Sequence, residues 1–217
     1  MGVDEAMEQI VRLGGEPGHS TRIRELRERF EALTGAFTPE DSWFEERIRA
    51  FWGDAVTRGR FGTDVASELG VEHRSWVSAL ERAHRGLFRV DGRHLVDAWS
   101  GAEFGLSGLD DEIRDELAAA SGQFFDGRVV AGEAPLLITL LPGAVFHSRD
   151  ATSAIERVLQ LASQRSMTTD EALDALLRMG RARHASPHAK ASYAYRAEGL
   201  VTPRSATPLR RLAKPSP

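Results

Sequence analysis

A chain of 217 residues, 41% hydrophobic and 28% charged, can bury a core without covalent staples, as one large domain or two small ones. It contains no cysteine, which excludes a disulfide framework, a thiol nucleophile and a zinc–thiolate centre. The net charge of −4 hides an asymmetry: from Arg178 onward nine Lys or Arg face one acid, Glu198 (+8), whereas the preceding chain carries 19 basic against 31 acidic residues (−12).

The first residues, Met1-Gly2-Val3-Asp4-Glu5, place acids where a secretory signal needs bases. The longest apolar run, 134–146, is broken by Pro135, Pro142 and Gly143, too short and interrupted to cross a bilayer. A cytoplasmic protein with no membrane partner is expected.

Residues 3–13 carry Val3, Met7, Ile10 and Val11 at helical spacing and stop at Gly14-Gly15. Residues 20–33 align Ile23, Leu26, Phe30 and Leu33, with charges of alternating sign around the rest. Thr38-Pro39-Glu40-Asp41 joins a capping hydroxyl, a proline suited to a first helical turn and two acids, predicting a helix over 38–58. Trp43, Phe44, Phe51 and Trp52 on it read as core anchors or as an exposed partner-binding stripe. The core reading makes a three-helix unit with the opening pair.

Residues 63–70 form a short helical segment with Thr63 as cap. Ala66 is small enough for a close crossing, and Gly70 is able to take positive φ. A second helix is predicted over 73–86, with Val65, Leu69, Val71, Trp76 and Ala79 facing inward. Arg74, Ser75, Ser78, Arg82 and Arg85 then point outward. Asp91-Gly92 predicts a hairpin over 87–96 flanked by Arg89 and Arg93. This order resembles a helix-turn-helix followed by a β-wing. The resemblance implies a winged-helix unit that reads a DNA major groove with the outward residues and touches backbone with the wing. An ordinary helical hairpin feeding a sheet has the same spacing.

From Leu87 the apolar period becomes two. Short strands are expected at 87–90, 94–99 and 102–106, a helix at 109–120, then strands at 124–125, 128–131, 136–141 and 144–147. Asp126-Gly127 and Pro142-Gly143 are taken as turns, and 136–141 as the most buried strand. The end is helical again: a segment from Asp150, another opened by the capping box Thr168-Thr169-Asp170-Glu171, and a last one over 187–200 anchored by Tyr193, Tyr195 and Leu200. Residues 201–217 have the composition of a disordered basic tail.

The fold class read from this pattern is α+β. Residues 1–86 form a helical region with a winged-helix-like unit. Residues 87–148 form a small antiparallel sheet or partly open barrel with one inserted helix, residues 149–200 are C-terminal helices, and 201–217 is the tail.

No phosphate-cradling loop and no Gly-x-Ser-x-Gly elbow occurs. His184 and His188 have metal-ligand spacing, but Pro187 between them disfavours one continuous helix, so neither metal nor cofactor is expected. Asp97, Glu103, Asp126 and His147 could meet at one end of the sheet for acid–base work, or each be a solvated strand-end residue. Arg181, Arg183, Lys190 and Arg196, interleaved with Tyr193 and Tyr195, could neutralise phosphates or simply complement helix dipoles. The function expected is that of a non-enzymatic regulatory or accessory protein binding nucleic acid, duplex DNA first. The alternatives are a protein-interaction scaffold that binds no nucleic acid, and an enzyme whose site leaves no linear signature.

Overall fold

The computed structural model describes residues 2–91, 94–105, 115, 117–131, 138–186 and 188–200. The fold is α+β, with helices on both sides in sequence of an antiparallel sheet that has six strands among the described residues. Helix α1 (Val3–Gly14) buries Val3, Ala6, Met7, Ile10 and Leu13, the three-and-four spacing that makes one face of a helix apolar. Helix α2 (Ser20–Thr34) buries Leu26, Phe30 and Thr34 and stops at Gly35, whose φ of 91° lies in the left-handed region.

Helix α3 (Phe44–Val56) starts later than the Thr38 cap implied. The Asp41 carboxylate accepts from the Thr38 N–H at 2.7 Å and the Asp41 N–H donates to the Thr38 carbonyl, so these residues close a turn of their own. Phe51 is fully buried, and Phe44 and Trp52 pack against the same cluster as α1 and α2.

Helix α4 (Phe61–Asp64) is a single turn, entered through Arg60 at φ 58°, and α5 (Val71–Glu81) follows four turn residues, a bend at Leu69 and Gly70. Two details depart from expectation. Gly70 is extended, with φ −56°, so it caps α5 without using positive φ, and Val71 is 79% exposed at the first turn instead of facing inward. Helix α5 also stops at Glu81, because residues 84–86 are drawn into the sheet.

The strands are β1 (His84–Asp91), β2 (His94–Asp97), β3 (Glu103–Gly105), β4 (Phe124–Ala131), β5 (Ile138–Leu140) and β6 (Val145–Phe146). Their order is β3-β2-β1-β4-β5, with β6 also on β4. The β1–β2 hairpin is therefore one half of a larger sheet, and β4 covers the other edge of β1. Strand β4 runs unbroken through Asp126-Gly127, which is not a turn. Gly127 pairs with Gly86 across the ladder, and Asp126 meets a guanidinium from β1. It is also the most buried of the described strands, a place expected for 136–141, of which 136 and 137 lie outside the described residues.

Strands β5 and β6 run along the same edge of β4 and are separated at Pro142-Gly143. Gly143 has φ 104°, and a Cβ there would lie 2.7 Å from the Arg49 carbonyl oxygen. Gly143→Ala is expected to cost about 1–3 kcal/mol in urea unfolding, since both the left-handed backbone and the contact must relax. A loss within about 0.5 kcal/mol, the range of ordinary surface substitutions, would show that the bend is not confined to glycine.

After a 3-10 turn at Arg149–Ala151, α6 (Thr152–Gln164) and α7 (Thr169–Ala185) form a helical pair. Helix α7 opens on the expected capping box: the Thr168 side chain accepts from the Glu171 N–H, and Glu171 accepts from the Thr168 N–H at 2.8 Å. In place of a helix over 187–200 there are a short α8 (Ala191–Ala194) and a 3-10 turn at Ala197–Leu200; Tyr195 and Leu200 are buried and Tyr193 is 67% exposed. The expected helix over 109–120 falls largely outside the described residues, as do Gly92, Arg93 and the tail 201–217.

Alternation along β1 and β4 sorts the core. Phe88, Val90, Phe125 and Val129 pack with Leu117 on one face. On the other face Leu87 and Phe124 pack under α6 and α7, while Val130 joins the cluster of α1 to α5. No helix among the described residues is long and apolar enough to cross a membrane.

Candidate nucleic-acid interface

Helix α5 is held to the core by Val77 and Leu80, which are buried, and by the partly buried Trp76 and Ala79. The other side of the helix carries Arg74, Ser75, Ser78 and Arg82, all four exposed. Three acids nearby are individually paired, whereas Glu72, exposed in the first turn of α5, has only His73 at 3.8 Å. Asp64 accepts from Arg22 at 2.7 Å, Glu68 lies 3.2 Å from His19, and Glu81 accepts from Arg60 and from the Thr63 hydroxyl. Arg74 donates to the Leu69 carbonyl at 3.0 Å, which braces the turn before α5. Arg82 makes no ion pair among the described residues and stands at the end of the helix.

Arg85 does not share that face. It lies in β1, 9% exposed, and its guanidinium is surrounded by carboxylates. Its Nε and Nη2 donate to both oxygens of Asp126 at 3.1 and 2.7 Å, and Nη1 donates to Asp174 at 2.8 Å and to the half-exposed Asp170 at 3.2 Å. From Asp174 the chain of charges continues to Arg58 at 2.8 Å, from Arg58 to Asp54 at 2.9 Å, and from Asp54 to Arg128 at 3.2 Å. Three guanidiniums and three carboxylates thus alternate between the sheet, α3 and α7. Burial pushes the Asp174 carboxyl up, but Arg85 and Arg58 outweigh it and hold it below its ordinary value. Burial opposes the charge on Arg85 too, and Asp126 and Asp174 reverse the balance, raising it well above its usual value. Arg128 ends the chain with burial and the repulsion of Arg85 both lowering it.

The other residues singled out by sequence fall elsewhere. Arg89 lines a cleft of about 520 Å³ between the sheet and α6, with Trp99, Glu156 and Gln160. Arg93 lies outside the described residues. Arg181 is exposed on α7; Arg183 bonds Asp150 at 3.1 Å; Lys190 is exposed before α8; and Arg196 stands 3.9 Å from Glu198.

Comparisons with protein-family models, with curated proteins and with solved structures give no match.

The four residues considered for acid–base chemistry have separate surroundings. Asp97 accepts from the Ser100 hydroxyl at 2.6 Å and the Trp99 N–H at 3.1 Å and lies 3.1 Å from His84; Asp126 is taken by Arg85; Glu103 is exposed. His147 is 2% exposed, with Nδ1 2.7 Å from the Tyr195 hydroxyl. Among the described residues no group of three or more His, Asp or Glu is placed to hold a metal.

An interaction stripe on the aromatic helix finds little support: Phe51 is buried, Phe44 and Trp52 pack against the core, and the large exposed hydrophobics among the described residues are Val71 and Tyr193. Sequence reasoning passed over Arg47, Asp54 and Arg58. They recur with Phe44 and Phe51 at spacings of three and four, which puts charges on the apolar face of α3 and was the available signal.

Proposed function

We propose that this protein binds nucleic acid, duplex DNA first, as a non-enzymatic regulatory or accessory factor. The observation that carries the reading is the solvent face of α5, where Arg74, Ser75, Ser78 and Arg82 stand free of the core while Asp64, Glu68 and Glu81 are occupied by Arg22, His19 and Arg60, leaving Glu72 as the exposed acid of that helix. Such a face offers two cations and two hydroxyls to phosphates and base edges. The β1–β2 hairpin follows directly, and Arg93 falls between its two strands in the sequence. Arg85 has no part in the reading, and Arg89 contributes only if the cleft beside α6 is also covered.

Fluorescence anisotropy with random duplex DNA over a salt series tests this. Arg82→Ala is expected to weaken binding by about 1–3 kcal/mol if it meets a base edge, or to lower the log–log salt slope by about one if it meets a phosphate. Removing Arg74 as well should deepen the loss. The tail is tested with a chain ending at Leu200, because Tyr195 and Leu200 are buried and an earlier cut would open the core. Binding that is unchanged in the folded double variant, or absent from the full chain at low salt, would sink the proposal.

A further inference from the structure

Three residues in a row across the sheet, Val96 on β2, Arg89 on β1 and Phe124 on β4, are cross-strand partners and so share one face. All three line the cleft of about 520 Å³ beside α6, a volume usual for a small-molecule site. The buried stripe of α6, Ile155, Val158, Leu159 and Ala162, packs in one cluster with Phe124. The flank next to that stripe carries Glu156, Gln160 and Ser163 at spacings of four and three, and these border the cleft and are exposed. Trp99 lines it from the turn after β2.

That turn is braced from below. The buried Asp97 carboxylate accepts from the Trp99 N–H at 3.1 Å and the Ser100 hydroxyl at 2.6 Å, and the Gly101 N–H donates to the Asp97 carbonyl at 2.8 Å. The charges on the other walls are unused. Arg89 is half-buried and Glu156 exposed, one on the sheet and one on the helix, and neither makes a hydrogen bond or an ion pair among the described residues. Arg85, on the same face of β1, is by contrast saturated by carboxylates. A plain anion on Arg89 would meet repulsion from Glu156, and a plain cation at Glu156 would meet it from Arg89. A zwitterion satisfies both, and the apolar surface of Trp99, Phe124 and Leu159 between them suits a ring.

We propose that this cleft binds a free aromatic amino acid, its carboxylate on Arg89, its ammonium at Glu156 and its ring against Trp99, Phe124 and Leu159. The site shares no residue with the solvent face of α5, so it stands whether or not that helix meets nucleic acid. It also gives Arg89 a small-molecule carboxylate as partner in place of a phosphate.

Isothermal titration of the full chain with three probes tests this: L-tryptophan, indole-3-propionate, which lacks the ammonium, and tryptamine, which lacks the carboxylate. L-Tryptophan should bind saturably and each analogue about tenfold more weakly or worse, the scale of one lost charge-assisted hydrogen bond. Arg89→Met should close the gap between L-tryptophan and tryptamine and keep the gap to indole-3-propionate. Glu156→Gln should do the reverse, and because Glu156 is exposed this variant decides the matter even if Arg89→Met does not fold. Arg82→Ala, on α5, should leave all three affinities unchanged. No saturable binding of L-tryptophan, an analogue that binds as tightly, or a Glu156→Gln protein with the parent's selectivity would each overturn the assignment.

Discussion

Arg85→Ala is expected to destabilise the protein by about 3–5 kcal/mol, the usual cost of breaking a buried ion pair from one side. For a chain of this size that lowers the melting temperature by roughly 10 °C. The cause is what stays behind. Asp126 and Asp174 are 3% and 4% exposed, and without Arg85 the first has no cation and the second keeps only Arg58. Arg82→Ala, three residues earlier and exposed, should stay within about 0.5 kcal/mol of the parent. The two variants therefore separate a structural arginine from a surface one. A double change, Arg85→Met with Asp126→Leu, removes one charge of each sign and leaves Asp174, Arg58, Asp54 and Arg128 balanced. It should recover part of the loss, with a coupling energy of about 0.5–3 kcal/mol in urea unfolding. If Arg85→Ala melts with the parent, the alternating chain of charges is not what joins sheet and helices.

His147 gives the second large effect. Burial pushes its imidazole down to about 4, partly opposed by the charge of Asp126 and reinforced by His184. The unfolded value is near 6.5. Between these values the unfolded chain binds a proton that the folded chain refuses, so this contribution is complete above about pH 6.5 and declines as the pH falls toward about 4. The full decline amounts to about 3 kcal/mol. Asp174, held below its ordinary value, loses its contribution only as the pH falls below the unfolded carboxylate range, so the two losses occupy different windows. Urea unfolding at pH 7, 6 and 5 should show the slope in the parent and its loss in His147→Gln, which can still bond Tyr195. A slope that persists in the variant would assign it to another group.

Several elements were legible because their signals are local. The apolar stripes of α1 and α2, the Thr168–Glu171 capping box and the period-two stretch after residue 86 involve residues within a few positions of each other, and each formed close to where it was read. The exposed residues of α5 were legible for the same reason: Val77 and Leu80 set the buried side, and Arg74, Ser75, Ser78 and Arg82 are left outside. Local signals also misled where a distant partner competed. Asp126-Gly127 has the composition of a turn, but a buried carboxylate is tolerable when Arg85 from β1 meets both its oxygens, and the strand runs on. The outward position assigned to Arg85 failed on the other half of that contact.

The amino-acid sequence by itself determined the α+β class, most of the helices, the change of period at the sheet and the polar side of α5, since periodicity and capping act over one or two turns. Tertiary structure alone decided how the buried charges are paired. Arg47 and Arg85 resemble their exposed neighbours in chemistry, and only the approach of α2, α3, α7 and β4 removes them from water. One is then surrounded by carboxylates and the other is left with two unpartnered donor nitrogens, because pairing a buried charge depends on groups that lie far apart in the chain.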